Sequence, residues 1–328
     1  MKYTVICAAA LIVGASSAFA QTKLTFASPA PAPTPLHAAV LEGWAQKVTE
    51  DSNGTLEVEL VTGGTLAAHG QVLDRVTQGV VQIGWDIQGY YPGKFPKTEV
   101  VALPFGFDTS ENGTVAMNKL LEDGTIASEY QDVKVLNLFT FPNGYLLSSK
   151  PTASLADAAG QKISGINPTR QSIAGAVDGV PVSLSITDWY QGLSRGTIDG
   201  AIESYSAVAP FRLQEVTGNA LEVPLGGNAA FMFMNQDVFD GLPDEAKAAI
   251  ENNSGAEFDR QMGAFWDGAA GYGRKLMTDA GATITTPDEA QMAEWETALQ
   301  PIIDAWVESV DGGEDILDKF HEAASADM

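Results

Sequence analysis

Cysteine occurs once in this 328-residue chain, at Cys7, and histidine only three times. Thiol catalysis and disulfide frameworks therefore have no basis in the body of the chain. His37, His69 and His321 stand too far apart for their spacing to suggest a metal site or a catalytic triad. There is no paired-histidine zinc motif, phosphate loop, dinucleotide glycine fingerprint or nucleophile elbow. Gly271-Tyr272-Gly273 lies inside a helical pattern and does not follow a strand, so it reads as packing. Basic residues are scarce as well: 18 Lys and Arg face 42 Asp and Glu, a formal charge of −24. Such a surface repels nucleic acid and anionic membranes, because no basic patch can displace phosphate counterions. The ordinary meaning of the charge is solubility or adaptation to salt; the sharper one is a field that favours cationic ligands. Charge alone does not choose between them.

Long apolar runs are missing too. Only Thr4 to Val13 is continuous, well short of the roughly 20 residues a membrane helix needs, so no membrane insertion is expected. With Lys2 before it and Ala18-Phe19-Ala20 after it, this run reads as a secretory signal over residues 1–20. Cleavage removes Cys7 and Lys2, leaving a cysteine-free chain with a charge of −25 instead of −24.

The remainder has the length of two domains. Its first half alternates strand and helix patterns: a strand over 22–28, then Leu36, Val40, Trp44 and Val48 on one helical face. Asn53-Gly54 ends that helix, and strand 55–61 follows. A helix over 71–78 leads to a strand over 80–85, and the alternation returns from Val133. This order predicts an α/β sheet with helices on both faces. Pro243, Asp244 and Glu245 suit a helix start, and the pattern runs on as one long helix to about Asp279. Two further helices, over 287–310 and 314–324, close the chain. The Pro-rich stretch 29–35 reads as a rigid loop.

Several short motifs recur in a telling order. They are Gly63-Gly64-Thr65-Leu66, Phe95-Pro96, Leu103-Pro104-Phe105, Gly160-Gln161-Lys162-Ile163 and Gly179-Val180-Pro181-Val182. Then come Trp189-Tyr190-Gln191-Gly192-Leu193, Gly196-Thr197-Ile198-Asp199-Gly200, and Asn235 ahead of Leu242-Pro243. Together they resemble the extracytoplasmic solute-binding subunits of TRAP transporters, the DctP-type family. The resemblance implies a two-domain α/β periplasmic-binding-protein clamshell with a long helix bracing both domains. It places residues 22–142 plus 231–270 in domain I and 143–230 plus 271–328 in domain II. It also implies a periplasmic location, a small organic solute as ligand and the membrane subunits of a TRAP-type permease as partners. No enzyme activity and no cofactor are implied.

In that family an arginine directly after the Lys-Ile pair grips a ligand carboxylate with its planar fork. This chain has Ser164 there. The asparagine that often follows the Asp-Gly-x-Glu turn is Ser204. A serine cannot neutralise a buried carboxylate, and leaving one unpaired costs several kcal/mol. Arg170, six residues on, can restore an organic-acid site (for a carboxylate or sulfonate) if it turns inward; a surface arginine at a helix start is the preferred reading.

The resemblance, aligned on the Gly-Gly-x-Leu turn, puts His69 where the family often has a polar pocket residue; Trp85 and Asp86 end the strand that borders the cleft, where α/β sheets place ligands. Tyr145 and Asn167 approach from the other domain, and Phe231 from near a crossing strand. Each also has a plainer role: Trp85, Tyr145 and Phe231 as core, His69 as a turn cap, Glu203 as a structural part of its turn. Aromatics with an acid and no arginine suit a cation, so the expected ligand is an amine, a betaine-like zwitterion or a neutral polar compound. A secreted enzyme or a sensory binding module on the same scaffold are the other two readings. The first would need a nucleophile–base pair that the sequence does not display.

Overall fold

The computed structural model describes residues 21–32, 34, 36 and 40–326. The expected signal segment 1–20, Cys7 and His37 lie outside the described residues. Among those described, no helix is long and apolar enough to cross a membrane.

Two sheets form the frame. The first has the strand order β2-β1-β3-β10-β4, built from β1 (Thr22–Ala27), β2 (Leu56–Val61), β3 (Ile83–Ile87), β4 (Val133–Thr140) and β10 (Ala229–Asn235). The second has the order β11-β9-β5-β8-β6-β7, from β5 (Tyr145–Ser148), β6 (Lys162–Ser164), β7 (Val180–Val182), β8 (Gly200–Glu203), β9 (Asn219–Leu221) and β11 (Thr283–Thr285). β1 pairs in parallel with β2 and β3, while β10 enters between β3 and β4 antiparallel to both. All five residues of β3 are buried, as a central strand covered on both faces requires.

The strand expected over 80–85 begins later, at Ile83. Gly79 takes φ +71°, and the amides of Val80 and Val81 both return to the Arg75 carbonyl, so these residues finish the helix turn instead. The single long helix also divides, into Asp244–Asn252 and Ala256–Asp279. Gly255, at φ +90°, breaks it and donates its amide to the Leu136 carbonyl of β4 at 3.0 Å. The first-helix face is as expected: Leu36, Val40, Trp44 and Val48 are all buried.

The chain passes from the first sheet to the second through 141–144 and returns through 222–228. These two crossings run side by side: Phe141 donates its amide to the Asn228 carbonyl at 2.9 Å, and Gly144 to that of Gly226 at 2.8 Å. The helix Ala256–Asp279 is a third connection. Gly263 lets it close on one sheet's helices, since a Cβ there would lie 2.6 Å from Glu111 Cα. Gly273 does the same on the other side, where a Cβ would meet the Tyr205 carbonyl oxygen at 1.9 Å. The last helix, Gly313–Ser325, lies against Ser110–Glu122, with the Phe320 ring 6.2 Å from that of Phe107.

Candidate ligand cavity

Between the two sheets and the long helix lies a cavity of about 450 Å³. Trp85 and Ile87 reach its wall from β3, Ile166 and Ile186 from beside the second sheet, and Phe141 from the crossing. The long helix presents Phe265, Trp266, Ala269 and Tyr272. The wall is aliphatic and aromatic almost throughout. Trp266 packs against Phe141, ring centres 4.5 Å apart, and against Phe265 at 5.2 Å.

Few polar groups interrupt this surface: Thr34, His69, Glu203, Ser206, Asn228, the Tyr272 hydroxyl and the Trp266 indole N–H. His69 is held in place from three sides. Its Nδ1 lies 2.6 Å from Asp86 Oδ1, its ring stacks on Tyr90 at 4.8 Å, and Trp85 meets it edge-on at 5.8 Å. Asp86 stands behind it, fully buried, and also accepts from the amides of Gly70 and Ile87, each at 2.8 Å, and from the Tyr91 hydroxyl at 2.5 Å. Burial, reinforced by the Asp86 charge, raises the Tyr91 phenol well above its ordinary range, which keeps it a donor. Burial likewise pushes Tyr90 up to about 12.

On the opposite side Glu203 comes to the wall already paired. Arg170 Nη1 donates to Glu203 Oε2 and to the Ile202 carbonyl, both at 3.0 Å, and Nη2 donates to the Gly226 carbonyl at 3.1 Å. Arg170 itself is 0 % exposed. The surface-arginine reading is therefore overturned. Asn167 caps the helix Pro168–Ala176 by accepting from the Arg170 amide at 2.7 Å, and the first turn then points residue 170 inward, toward β8 and the crossing. Asn228 completes the group: with its amide oxygen facing the guanidinium it lies 2.7 Å from Nη1. The guanidinium does not itself line the cavity.

Residues 26–309 match the family model described as bacterial extracellular solute-binding protein, family 7, DctP. The chain belongs to that family. Among solved structures, a TRAP solute-binding protein from a marine metagenome, described as specific for aromatic acid ligands and crystallised with metahydroxyphenylacetate, superposes with a TM-score of 0.88. It is 30% identical and covers 93% of this chain and 99% of its own. A TRAP solute-binding protein from Rhodoferax ferrireducens, with copurified benzoate, also reaches 0.88 at 25% identity, over 93% and 98% of the two chains. The outer membrane transporter protein TsaT of Comamonas testosteroni is 26% identical over 98% of each chain. This DctP-family chain is thus an extracytoplasmic solute-binding protein of the TRAP type with the expected α/β architecture. Family members bind small organic solutes and work with TRAP permeases; they are binding proteins, not enzymes.

Of the residues singled out from sequence, His69 and Trp85 reach the cavity wall. Trp85 is also core, 3 % exposed, with its indole N–H donated to Ser28 Oγ at 2.7 Å. Asp86 and Arg170 sit one layer back, each holding a wall residue. Asn167 lies behind Asn228, with which its amide makes a 2.7 Å contact. Ser164 is buried in β6 and accepts from Trp189 Nε1 at 2.9 Å. Ser204 accepts from the Ser206 amide at 3.1 Å. Tyr145 packs on Tyr205 at 5.2 Å, and Phe231 is buried among Phe95, Tyr130 and Phe233. None of these last four lines the cavity. Sequence reasoning missed Phe141, Asn228, Phe265, Trp266 and Tyr272. The helical spacing of Ala264, Gly268 and Tyr272, with Phe265 and Ala269 beside them, was the available signal for the helix face; Asn228 left none.

Proposed function

We propose that this protein captures an aromatic monocarboxylate in the periplasm by closing two lobes around it, and hands it to a TRAP-type permease. The observation that carries the reading is the cavity wall, a ring-sized apolar enclosure of Trp85, Phe141, Phe265 and Trp266 with polar groups gathered at few points. Its volume is in the range of about 300–1,000 Å³ usual for small-molecule sites. The aromatic acid bound by the marine relative adds support from a chain that is 30% identical. An apolar ring buried there gains roughly 25 cal/mol per Å², which a C4 dicarboxylate cannot match.

The amine or betaine reading keeps one point in its favour, the aromatic faces, which attract cations. It loses the carboxylates on which it depended. Asp86 is off the wall with its oxygens taken, and Glu203 is held by Arg170. For closure we take the lobes as 22–142 with 231–270 and 143–230 with 271–328. The seating of Phe320 against Phe107 argues for moving 313–325 to the first lobe.

The test is a thermal-shift screen of the mature chain against benzoate, phenylacetate, succinate, glycine betaine and benzylamine, followed by calorimetry. Aromatic carboxylates are expected to raise the melting temperature; a ligand at 100 times its Kd adds about 2.7 kcal/mol. Stabilisation by betaine or benzylamine alone would reject the reading.

A further inference from the structure

We infer that His69, steadied by Asp86, is the residue that holds the ligand's carboxylate, in place of a guanidinium; this rests on the aromatic-acid reading above. Three observations converge on it. First, the described wall residues include no lysine or arginine, and Glu203, Asn228, Ser206 and Thr34 are acidic or neutral, so His69 is the wall group able to present a positively charged donor. Second, Arg170 does not line the cavity, and its terminal nitrogens already donate to Ile202, Glu203 and Gly226. Engaging a ligand through it would mean breaking a buried ion pair and stranding Glu203, which is 4 % exposed. Third, the imidazole is preset. Nδ1 is bound to Asp86, and among the described residues Nε2 has no hydrogen-bond partner.

The chemistry follows from that arrangement. Asp86, with four contacts fixing its two oxygens, holds the proton on Nδ1 and so leaves Nε2 as the free position. With both nitrogens protonated, Nε2–H donates to the ligand carboxylate, and the Asp86 charge compensates the ring from behind. The stack on Tyr90 and the edge of Trp85 stop the ring from turning, so binding orders no side chain here. His69 acts as the recognition residue and Asp86 as its positioning residue. The site then selects a carboxylate over a neutral group of the same shape.

The experiment compares benzoate with benzamide by calorimetry on the wild type, His69→Asn and Asp86→Asn. A charge-assisted hydrogen bond at this position predicts benzoate binding about tenfold to a hundredfold weaker in His69→Asn. Benzamide binding should change by less than about threefold, so the benzoate-to-benzamide ratio collapses. A merely structural role would weaken both ligands alike. In parallel, the wild type labelled with ¹⁵N-histidine reports on the folded protein directly: benzoate should shift the His69 Nε2 resonance, and benzamide should not. Benzoate affinity unchanged in His69→Asn, or a His69 resonance that benzoate leaves in place, overturns the inference and leaves the aromatic-acid reading standing. Failure of every aromatic carboxylate to bind the wild type overturns both.

Discussion

Asp259 shows how much one side chain can matter outside the cavity. It is 1 % exposed near the start of the long helix, and Oδ2 accepts from the Leu138 amide of β4 at 3.0 Å. Burial raises its carboxyl to about 7, against the opposing hydrogen bond from the Leu138 amide. The sign follows from linkage: the folded state holds the proton more tightly than the unfolded chain does. That contribution to stability is complete below the ordinary carboxyl range near 4 and is lost as pH rises toward 7. Asp259→Asn should therefore raise the melting temperature at pH 8 and bring little gain at pH 4, with a gap on the order of a few kcal/mol. Urea unfolding at the two pH values checks this; equal effects at both would contradict it. The same scale explains why Ser164 tolerates the family's arginine position. Its hydroxyl is buried and taken up by Trp189, so residue 164 belongs to the frame of β6 and not to the cavity wall.

At the scale of an element, the long helix is the part on which both sheets rest. Its glycines are unequal. Gly273 faces the Tyr205 carbonyl so closely that a methyl group must push the helix off the second sheet. Nothing lies within 4 Å of a Cβ at Gly271. Gly273→Ala should destabilise by about 1–3 kcal/mol through overpacking. Gly271→Ala should stabilise by about 0.5–1 kcal/mol, because helix-interior glycine only adds unfolded-state entropy. Thermal denaturation of the pair separates the two effects, and a matching sign in both variants would show that the helix does not bear on Tyr205 as described. From sequence Gly271 and Gly273 were legible only as packing inside a helical pattern. Which of them meets a neighbouring backbone depends on a helix placement that periodicity does not encode.

For the whole molecule the question is what would hold the two proposed lobes together on closure. Thr169 Oγ1 donates to Glu99 Oε1 at 2.8 Å across the proposed division. Nearby, Gly89 approaches Asn167 so closely that a Cβ would lie 2.9 Å from the asparagine Cβ. Removing one hydrogen bond that forms only on closure costs about 1 kcal/mol. Thr169→Val should accordingly weaken ligand binding about fivefold, mainly through faster dissociation. Trp85 and Trp266 on the cavity wall make stopped-flow fluorescence a direct readout. An unchanged dissociation rate would show that this contact is not part of closure.

The α/β alternation of the first half, the family and the absence of a guanidinium at residue 164 were decided by the sequence, because each rests on local periodicity or on motifs read in line. His69 was legible from its place after the Gly63-Gly64-Thr65-Leu66 turn that the family shares, and Trp85 from a strand bordering the cleft, although it sits midway along β3 (Ile83–Ile87). What only the tertiary structure decided is which side chains share the cavity and which way Arg170 turns. The wall is assembled from segments as distant as Leu36 and Tyr272, and no local pattern couples them. Arg170 points inward because the Ile202 and Gly226 carbonyls and the Glu203 carboxylate come together only when β8 and the returning crossing have packed. A buried charge goes where its partners are, and those partners exist only in the folded chain.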